Sequence, residues 1–200
     1  MKLIILIFTM PYFIISKVLL LCKYDSIVND YIKCCIFIES QKNVESVISD
    51  ELYNKLILAE DHRNSLHYGI DPFSIFRCLY LRVLKKIMQG GSTIEQQLVR
   101  TITGRYERML RRKLREQILA VLILNKFKNK KLIGKVYINN AYYGYGKVSL
   151  SSLSDDEKID TSELIARLKY PTKKDQLPID NSMIQIRKKY INLLFKNQFK

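Results

Sequence analysis

Apolar positions dominate the start of the chain. Leu3–Cys22 reads LIILIFTMPYFIISKVLLLC and is interrupted only by Thr9, Pro11, Ser16 and Lys17. A run of this length is what a helix needs to cross a bilayer. Pro11 is tolerated in such a helix, and Lys17, near one end, can extend its ammonium to the headgroups. No small-x-small cleavage site precedes Asp25, and Leu21 is bulky where a lipoprotein cysteine at 22 would need a small neighbour. The pattern therefore predicts a membrane anchor over 1–23, the alternative being a buried core helix. Lys2 flanks one end and Lys23 and Lys33 the other, so charge leaves its orientation open.

Beyond the anchor the pattern is mixed, then helical. Residues 24–46 read as a linker, with a short strand at YIKCCIFIES and a turn at QKNVES. Ser49 or Asp50 caps a helix reaching Asp61, with Leu52, Leu56, Ile57 and Ala59 facing inward. That helix ends on Glu60 and Asp61, where its dipole opposes carboxylates; an unfavourable placement points to a task, the alternative being a solvated turn. A loop over Asn64–Asp71, with Gly69 at a tight turn, leads to a helix over 72–88 opened by Asp71 and Pro72. It is apolar with Arg77, Arg82, Lys85 and Lys86 interspersed, the pattern of a basic helix lying on a bilayer or of a core helix with a basic outer face.

Next comes GGSTIEQQLVR, Gly90–Arg100. Ser92 or Thr93 can cap a helix over 93–102, with Glu95 or Gln96 reaching back. Gln96, Gln97 and Arg100 leave its first turns, and its N-terminus can receive an anion; an ordinary capped surface helix has the same signature. A long helix over 106–127 carries Met109, Leu110, Leu114, Ile118, Leu119, Leu122 and Ile123 in helical period, which marks it as central. A helix over 130–139, weakened by Gly134, precedes a Gly/Tyr turn at NNAYYGYG. A polar loop over 149–160, a helix over 161–169 ended by Pro171, an irregular stretch and a basic helix over 182–199 complete the chain. The fold class predicted is mainly α, with at most a minor strand or two.

Charge changes this picture. The 200 residues carry a formal net charge of +15. Like charge opposes compaction, so the excess implies an anionic partner: nucleic acid, membrane lipid or a phosphate-bearing substrate. Between Arg100 and Lys135 there are twelve Lys and Arg but only two acids, Glu107 and Glu116. Arg108, Arg112 and Arg115-Glu116 fall on related turns, which puts Glu116 at the core edge among cations that favour its charged form. Cysteines 22, 34, 35 and 78 lack zinc-like spacing, and His62 and His67 complete no metal set. Neither a disulfide framework nor a structural metal is expected.

Five segments, in order, resemble the peptidoglycan glycosyltransferase domain of glycosyltransferase family 51, found in bifunctional penicillin-binding proteins and in monofunctional transglycosylases. AEDHRNSLHYGID is similar to the first motif, GGSTIEQQLVR to the second and most specific, and RMLRRKLRE to the third. KKLIGKVYINNAYYGYG resembles the fourth, and IRKKYINLL weakly the fifth. The resemblance covers Val47–Leu194 and implies a lysozyme-like two-lobed helical domain over 47–200. An anchor plus this domain alone looks like the monofunctional type. The sequence departs from the family at Asn64, where an aromatic is usual, at Gly134 and Lys135 in place of a leucine and an acid, and along ARLKYPTKK before the fifth motif.

The resemblance implies joining of lipid-linked disaccharide units (lipid II) with inversion and release of polyprenyl pyrophosphate. Glu60 matches the catalytic base. Beside it Asp61, as a like charge, would raise its pKa and serve in substrate binding. Arg100, Arg108, Arg112 and Lys113 match positions suited to the departing pyrophosphate, with Arg77 a further candidate. Ser92, Thr93, Gln96 and Gln97 are candidates for sugar and phosphate hydrogen bonds. Glu116 matches the second carboxylate, which orders the cations or helps a divalent metal, magnesium or manganese, although no cofactor is required by the sequence. The implied setting is the bacterial cytoplasmic membrane, with a single span and the domain outside, near other cell-wall synthesis proteins. Fold alone does not fix function. The rival readings are a glycan-cleaving lysozyme-like enzyme, an inactive membrane scaffold, and a nucleic-acid binder, the last disfavoured by the apolar N-terminus and the lack of a recognition motif.

Overall fold

The computed structural model describes residues 1–107, 109–153 and 159–198, and within them the chain is mainly α. The first helix, α1 (Lys2–Leu21), is long and apolar enough to cross a membrane. It turns Ile5, Thr9 and Ser16 inward and leaves Leu3, Ile7, Ile14 and Val18 exposed. Thr9 and Ser16 satisfy their hydroxyls on the carbonyls of Leu6 and Phe13. Small polar residues on the packed stripe with aliphatic ones outward is the arrangement that suits a helix facing lipid.

The segment 24–46, expected as a linker with a strand, is instead helical: α2 (Asp25–Ser40) and the short α3 (Val44–Val47). The β-branched run in YIKCCIFIES suggested a strand, but Ile27, Cys34 and Ile38 recur at helical spacing and are buried in the core, so tertiary packing overrides the local preference. The buried Cys34 thiol is pushed up to about 12 by desolvation, and all four cysteines are free.

Capping sets the next elements. Ser49 accepts from Leu52 N at 3.3 Å and opens α4 (Asp50–Glu60). Asp71 accepts from Ser74 N and, with Pro72, opens α5 (Pro72–Leu84). Thr93 accepts from Gln96 N and opens α6 (Ile94–Thr103), which Gly104 closes in the left-handed region. The helix expected from 106 begins later, as α7 (Leu110–Phe127), without a side-chain cap. Arg111, Arg112 and Lys113 crowd its first turn, where the dipole opposes cations. Met109, Leu110 and Leu114, expected in its core stripe, are exposed, whereas Leu119–Leu124 is buried on every side. Asn129 caps α8 (Lys130–Asn140). The Gly/Tyr turn is a small antiparallel hairpin, β1 (Tyr142–Gly144) with β2 (Lys147–Val148). Asp160 caps α9 (Thr161–Lys169), and α10 (Pro178–Gln198) starts a turn earlier than expected, on Pro178.

Packing brings α6 against both α7 and α8, with α2 across α6 and α7, while α4 is held among α8, α9 and α10. Leu56, Leu98, Leu119, Ile123, Ile133, Ile138, Ile165 and Ile191 are fully buried where these helices meet. Two close approaches fix the layout. Gly69, at φ +85°, lies on α7 so tightly that a Cβ would meet the Ala120 carbonyl at 2.9 Å. Gly134 lets α8 lie against the Tyr53 ring, where a Cβ would fall 2.5 Å from Cε2. The departure from the usual leucine at 134 is thus matched by a tyrosine on α4. Lys135 is buried too, donating to the Glu45 carbonyl at 2.7 Å and pairing with Asp50 at 2.8 Å.

Candidate active site

Glu60 is the last residue of α4, and three other elements close on it. From α10, Arg187 Nη2 donates to Glu60 Oε1 at 3.1 Å and to the Ala59 carbonyl at 2.6 Å. The Gln97 side chain of α6 also hydrogen-bonds the carboxylate, and Lys169 at the end of α9 adds a positive field. Burial pushes the Glu60 carboxyl above the ordinary range, and these groups only partly oppose it. The elevation expected from Asp61 as a like charge has a different cause here, desolvation.

Asp61 is held inside the protein rather than offered to a substrate, which corrects its assignment to substrate binding. His67 Nε2 lies 3.0 Å from both its oxygens, and Asn64 Nδ2 and Ile94 N donate to Oδ2 at 3.1 and 3.2 Å. Burial would raise its carboxyl, but these hydrogen bonds outweigh it and hold it below the usual range. Asn64, where the family has an aromatic, is therefore a polar prop for Asp61. Glu95, from the capping sequence, joins this region, its Oε1 3.3 Å from Lys130 Nζ. Lys130 also donates to the Asn64 carbonyl. Donor atoms of Asp61, His67 and Glu95 come within 4.8 Å of one another, a grouping that the sequence reading left unassembled. The Lys130 ammonium already supplies a cation there.

Glu116 anchors the second cluster. On α7 its carboxylate accepts Arg100 Nε at 2.8 Å and Nη2 at 3.0 Å in a fork, accepts Arg112, and lies 3.8 Å from Lys113 Nζ. Lys113 donates to Ser92 Oγ at 2.7 Å and Gln96 Oε1 at 2.6 Å, and Arg100 also reaches Ser92. Burial lowers the Lys113 ammonium to about 8. Gln97 ties the two clusters together. It bonds Glu60 and accepts from Tyr137 at 2.5 Å, and the Tyr137 phenol lies in the field of both Glu60 and Arg100. Burial raises that phenol strongly, which keeps it a donor.

The remaining candidates divide. Ser92 and Gln97 are part-exposed beside the clusters. Thr93 and Gln96 are buried, and both donate to the Gly69 carbonyl at 2.9 Å; they join the first-motif loop to α6 instead of reaching a ligand. Arg77 is exposed on α5 and bears on His62, whose imidazolium burial and then Arg63 and Arg77 disfavour. Arg108 lies outside the described residues. Arg187, His67 and Tyr137 went unassigned by sequence, although each sits inside a quoted motif; their contacts are made across long sequence separations, and only membership of the motif was available as a signal.

Past Arg187 the surface continues as two adjoining concavities of about 260 and 520 Å³ that share Lys169, Tyr170 and Met183. Tyr142, Tyr145 and Lys174 line the farther one. It is shaped by the strap at Thr172, whose N donates to the Tyr143 carbonyl at 3.1 Å and whose carbonyl accepts from Tyr145 N at 2.7 Å. An apolar hollow of about 550 Å³ between α1 and α7 lies apart from Glu60 and Glu116.

Comparison with known proteins agrees with this geometry. Residues 36–155 match the family model described as Transglycosylase. The chain is 33% identical over 136 residues to penicillin-binding protein 1A of Aquifex aeolicus, covering 63% of this chain and 19% of that one. It is 31% identical over 153 residues to penicillin-binding protein 1F of Bacillus subtilis, covering 74% and 21%. A monofunctional glycosyltransferase of Staphylococcus saprophyticus is 30% identical over 110 residues, covering 55% and 40%. The chain thus spans about a fifth of the length of these penicillin-binding proteins. The match begins inside α2, which agrees with the burial of that helix in the core.

Proposed function

The chain belongs to the transglycosylase family, and from that premise we propose that it polymerises a lipid-linked disaccharide-peptide precursor into glycan strands. The observation that carries this reading is the contrast between two carboxylates linked through Gln97 and Tyr137. Glu60 is desolvated and raised, as a base working near neutral pH requires. Glu116 is spent on Arg100, Arg112 and Lys113.

Glu60 accepts the proton of the acceptor sugar hydroxyl as its oxygen attacks the anomeric carbon of the donor. The bond from that carbon to the pyrophosphate oxygen breaks, and the electron pair leaves with the polyprenyl pyrophosphate, inverting the centre. Arg100, Arg112 and Lys113, fixed by Glu116 and Ser92 before the substrate arrives, meet the charge that develops. A preorganised donor of this kind is worth roughly 3 kcal/mol of barrier. A hydrolase acting on a glycan has no leaving group for such a cluster to serve. The tyrosine- and lysine-lined groove beyond Arg187 suits a saccharide strand bearing anionic peptides, with sugar faces on the rings and carboxylates on the ammonium groups.

A magnesium or manganese ion at the pyrophosphate does not fit the residues described. Both Glu116 oxygens are taken by guanidinium groups, and three cations already face one carboxylate. We take α1 as a single-pass anchor in the bacterial cytoplasmic membrane, with the domain on its outer side beside other cell-wall synthesis proteins. No nucleic-acid partner enters this reading.

The test is incubation of the purified full chain, in detergent, with the lipid-linked precursor. Glycan polymer is expected from the wild type and a loss of about 10²–10⁴-fold from Glu60→Gln. A folded wild type that makes no polymer where a monofunctional relative does would refute the proposal.

A further inference from the structure

We propose that a second anion pocket, between the start of α2 and the start of α7, binds the phosphate of a membrane phospholipid headgroup of net negative charge. The pocket encloses about 210 Å³ and is lined by Arg105, Arg111, Arg112 and Arg115, with Ser26 and Glu107. It adjoins the cluster at Glu116, sharing Arg112 with it, but opens on a different face. Arg111 and Arg115 lie four apart on one stripe of α7, whereas Arg112 and Glu116 form the adjacent stripe that faces Arg100. The same helix end therefore presents cations in two directions.

The charge there is not balanced. Asp30 is shared by Arg105 at 3.2 Å and Arg115 at 3.0 Å. Arg115 also donates to the Ser26 hydroxyl, and Arg112 to the Glu107 carbonyl. Arg111 is exposed and makes no ion pair among the described residues. Arg112 is already paired with Glu116, which leaves Arg105, Arg111 and Arg115 facing two carboxylates, Asp30 and Glu107. Guanidinium forks match phosphate oxygens in geometry as well as charge.

Two further observations select a lipid as the source of that phosphate. The pocket has an exposed apolar residue in its wall, Met109, 64% exposed, and the next residue, Leu110, is 85% exposed. Ser26 also follows within five residues of Leu21, where α1 ends. The end of a helix of membrane-spanning composition is where headgroups lie. Arginines around a small hollow would hold a headgroup phosphate while Met109 and Leu110 enter the acyl region. This inference does not rest on the polymerase reading, and Glu60→Gln is expected to leave it intact.

The test uses the purified full chain in neutral detergent micelles at constant ionic strength. Dihexanoyl phosphatidylglycerol, dihexanoyl phosphatidylcholine and inorganic phosphate are titrated separately, and thermal unfolding is read. Phosphatidylglycerol is expected to raise the melting temperature by about 3 °C at ten times its Kd, phosphatidylcholine to leave it unchanged and inorganic phosphate to act less strongly. Arg105→Gln with Arg111→Gln should abolish the shift; Arg111→Gln alone, at an unpaired surface position, should weaken it without a folding effect. Equal shifts with the two lipids, or a full shift in the double variant, would overturn the proposal. A shift with inorganic phosphate as large as with phosphatidylglycerol would overturn the lipid source.

Discussion

Arg187 donates from a single guanidinium nitrogen to the Ala59 carbonyl at 2.6 Å and to Glu60 Oε1 at 3.1 Å. The terminal helix thereby holds the end of α4 by backbone and side chain together, closing a carbonyl that the helix leaves without an internal partner. Arg187 also lowers the pKa that burial raises at Glu60. Arg187→Ala removes that counterweight, so the acid limb of the polymerisation rate should move to higher pH and the neutral rate should fall. Arg187→Lys, which keeps the charge but not the shared nitrogen, should restore the limb more than the rate. A pH–rate profile of the three proteins checks this; an unmoved acid limb in Arg187→Ala would detach Arg187 from the base.

An alkaline limb set by Lys113 is expected. Its ammonium is lowered by burial to about 8, so polymerisation should decline as pH rises through that value and the pyrophosphate cluster loses a charge. Glu116 favours the charged form of Lys113, so Glu116→Gln should move the limb to lower pH. Lys113→Arg should carry it out of the measurable range, because arginine does not titrate there. Initial rates between pH 6 and pH 10 decide it, and an alkaline limb that survives in Lys113→Arg would assign it to another group.

Gly134 faces the Tyr53 ring at a distance that admits no Cβ. Gly134→Leu, which restores the residue usual in the family, should destabilise this chain by about 1–3 kcal/mol through overpacking. That lowers the melting temperature by roughly 2–4 °C per kcal/mol for a chain of this size. Tyr53→Ala in the same chain should recover part of the loss, since the two positions share one space and their effects should not add. Thermal unfolding of both singles and the double measures the coupling; strictly additive losses would show that the ring is not the obstacle.

Much of this was legible in the sequence, and the gaps have physical causes. Caps at Ser49, Asp71 and Thr93 are short-range chemistry and placed three helix starts, whereas those at Asn129 and Asp160 emerged only in the structure. The motifs around Glu60 and Glu116 were readable because their spacing survives in one dimension. Helix α2 was missed because β-branched and aromatic residues favour a strand locally, and only contact with α6 and α7 decides otherwise. Asp61, Thr93 and Gln96 were read as ligand contacts because a motif does not say which way a side chain faces. Their partners, His67 and the Gly69 carbonyl, lie across a loop closure. Arg187 reaches Glu60 across 127 residues, and no local pattern encodes that contact.

The last prediction concerns acid stability and turns on Asn64. Asp61 and Asp71 are held below the ordinary carboxylate range. Groups of this kind contribute stability that is present above the unfolded value, about 3.9, and is lost as pH falls through the lower folded value. Glu60, which is raised, acts in the opposite sense: its contribution is present below about 4.3 and is lost as pH rises through its folded value. Asn64→Leu removes the donor at 3.1 Å from Asp61 Oδ2 and leaves a buried carboxylate with one partner fewer. The expected cost is about 1–3 kcal/mol at pH 7. Because the lost bond favours the charged form, the gap between variant and wild type should narrow as the pH is lowered and Asp61 takes up its proton. Melting temperatures followed from pH 7 down to pH 2, through the range in which Asp61 takes up its proton, measure both the size and the direction of that change. A gap that stays constant or widens on acidification would mean that Asn64 acts by packing alone and that His67 and the Ile94 amide suffice to hold Asp61.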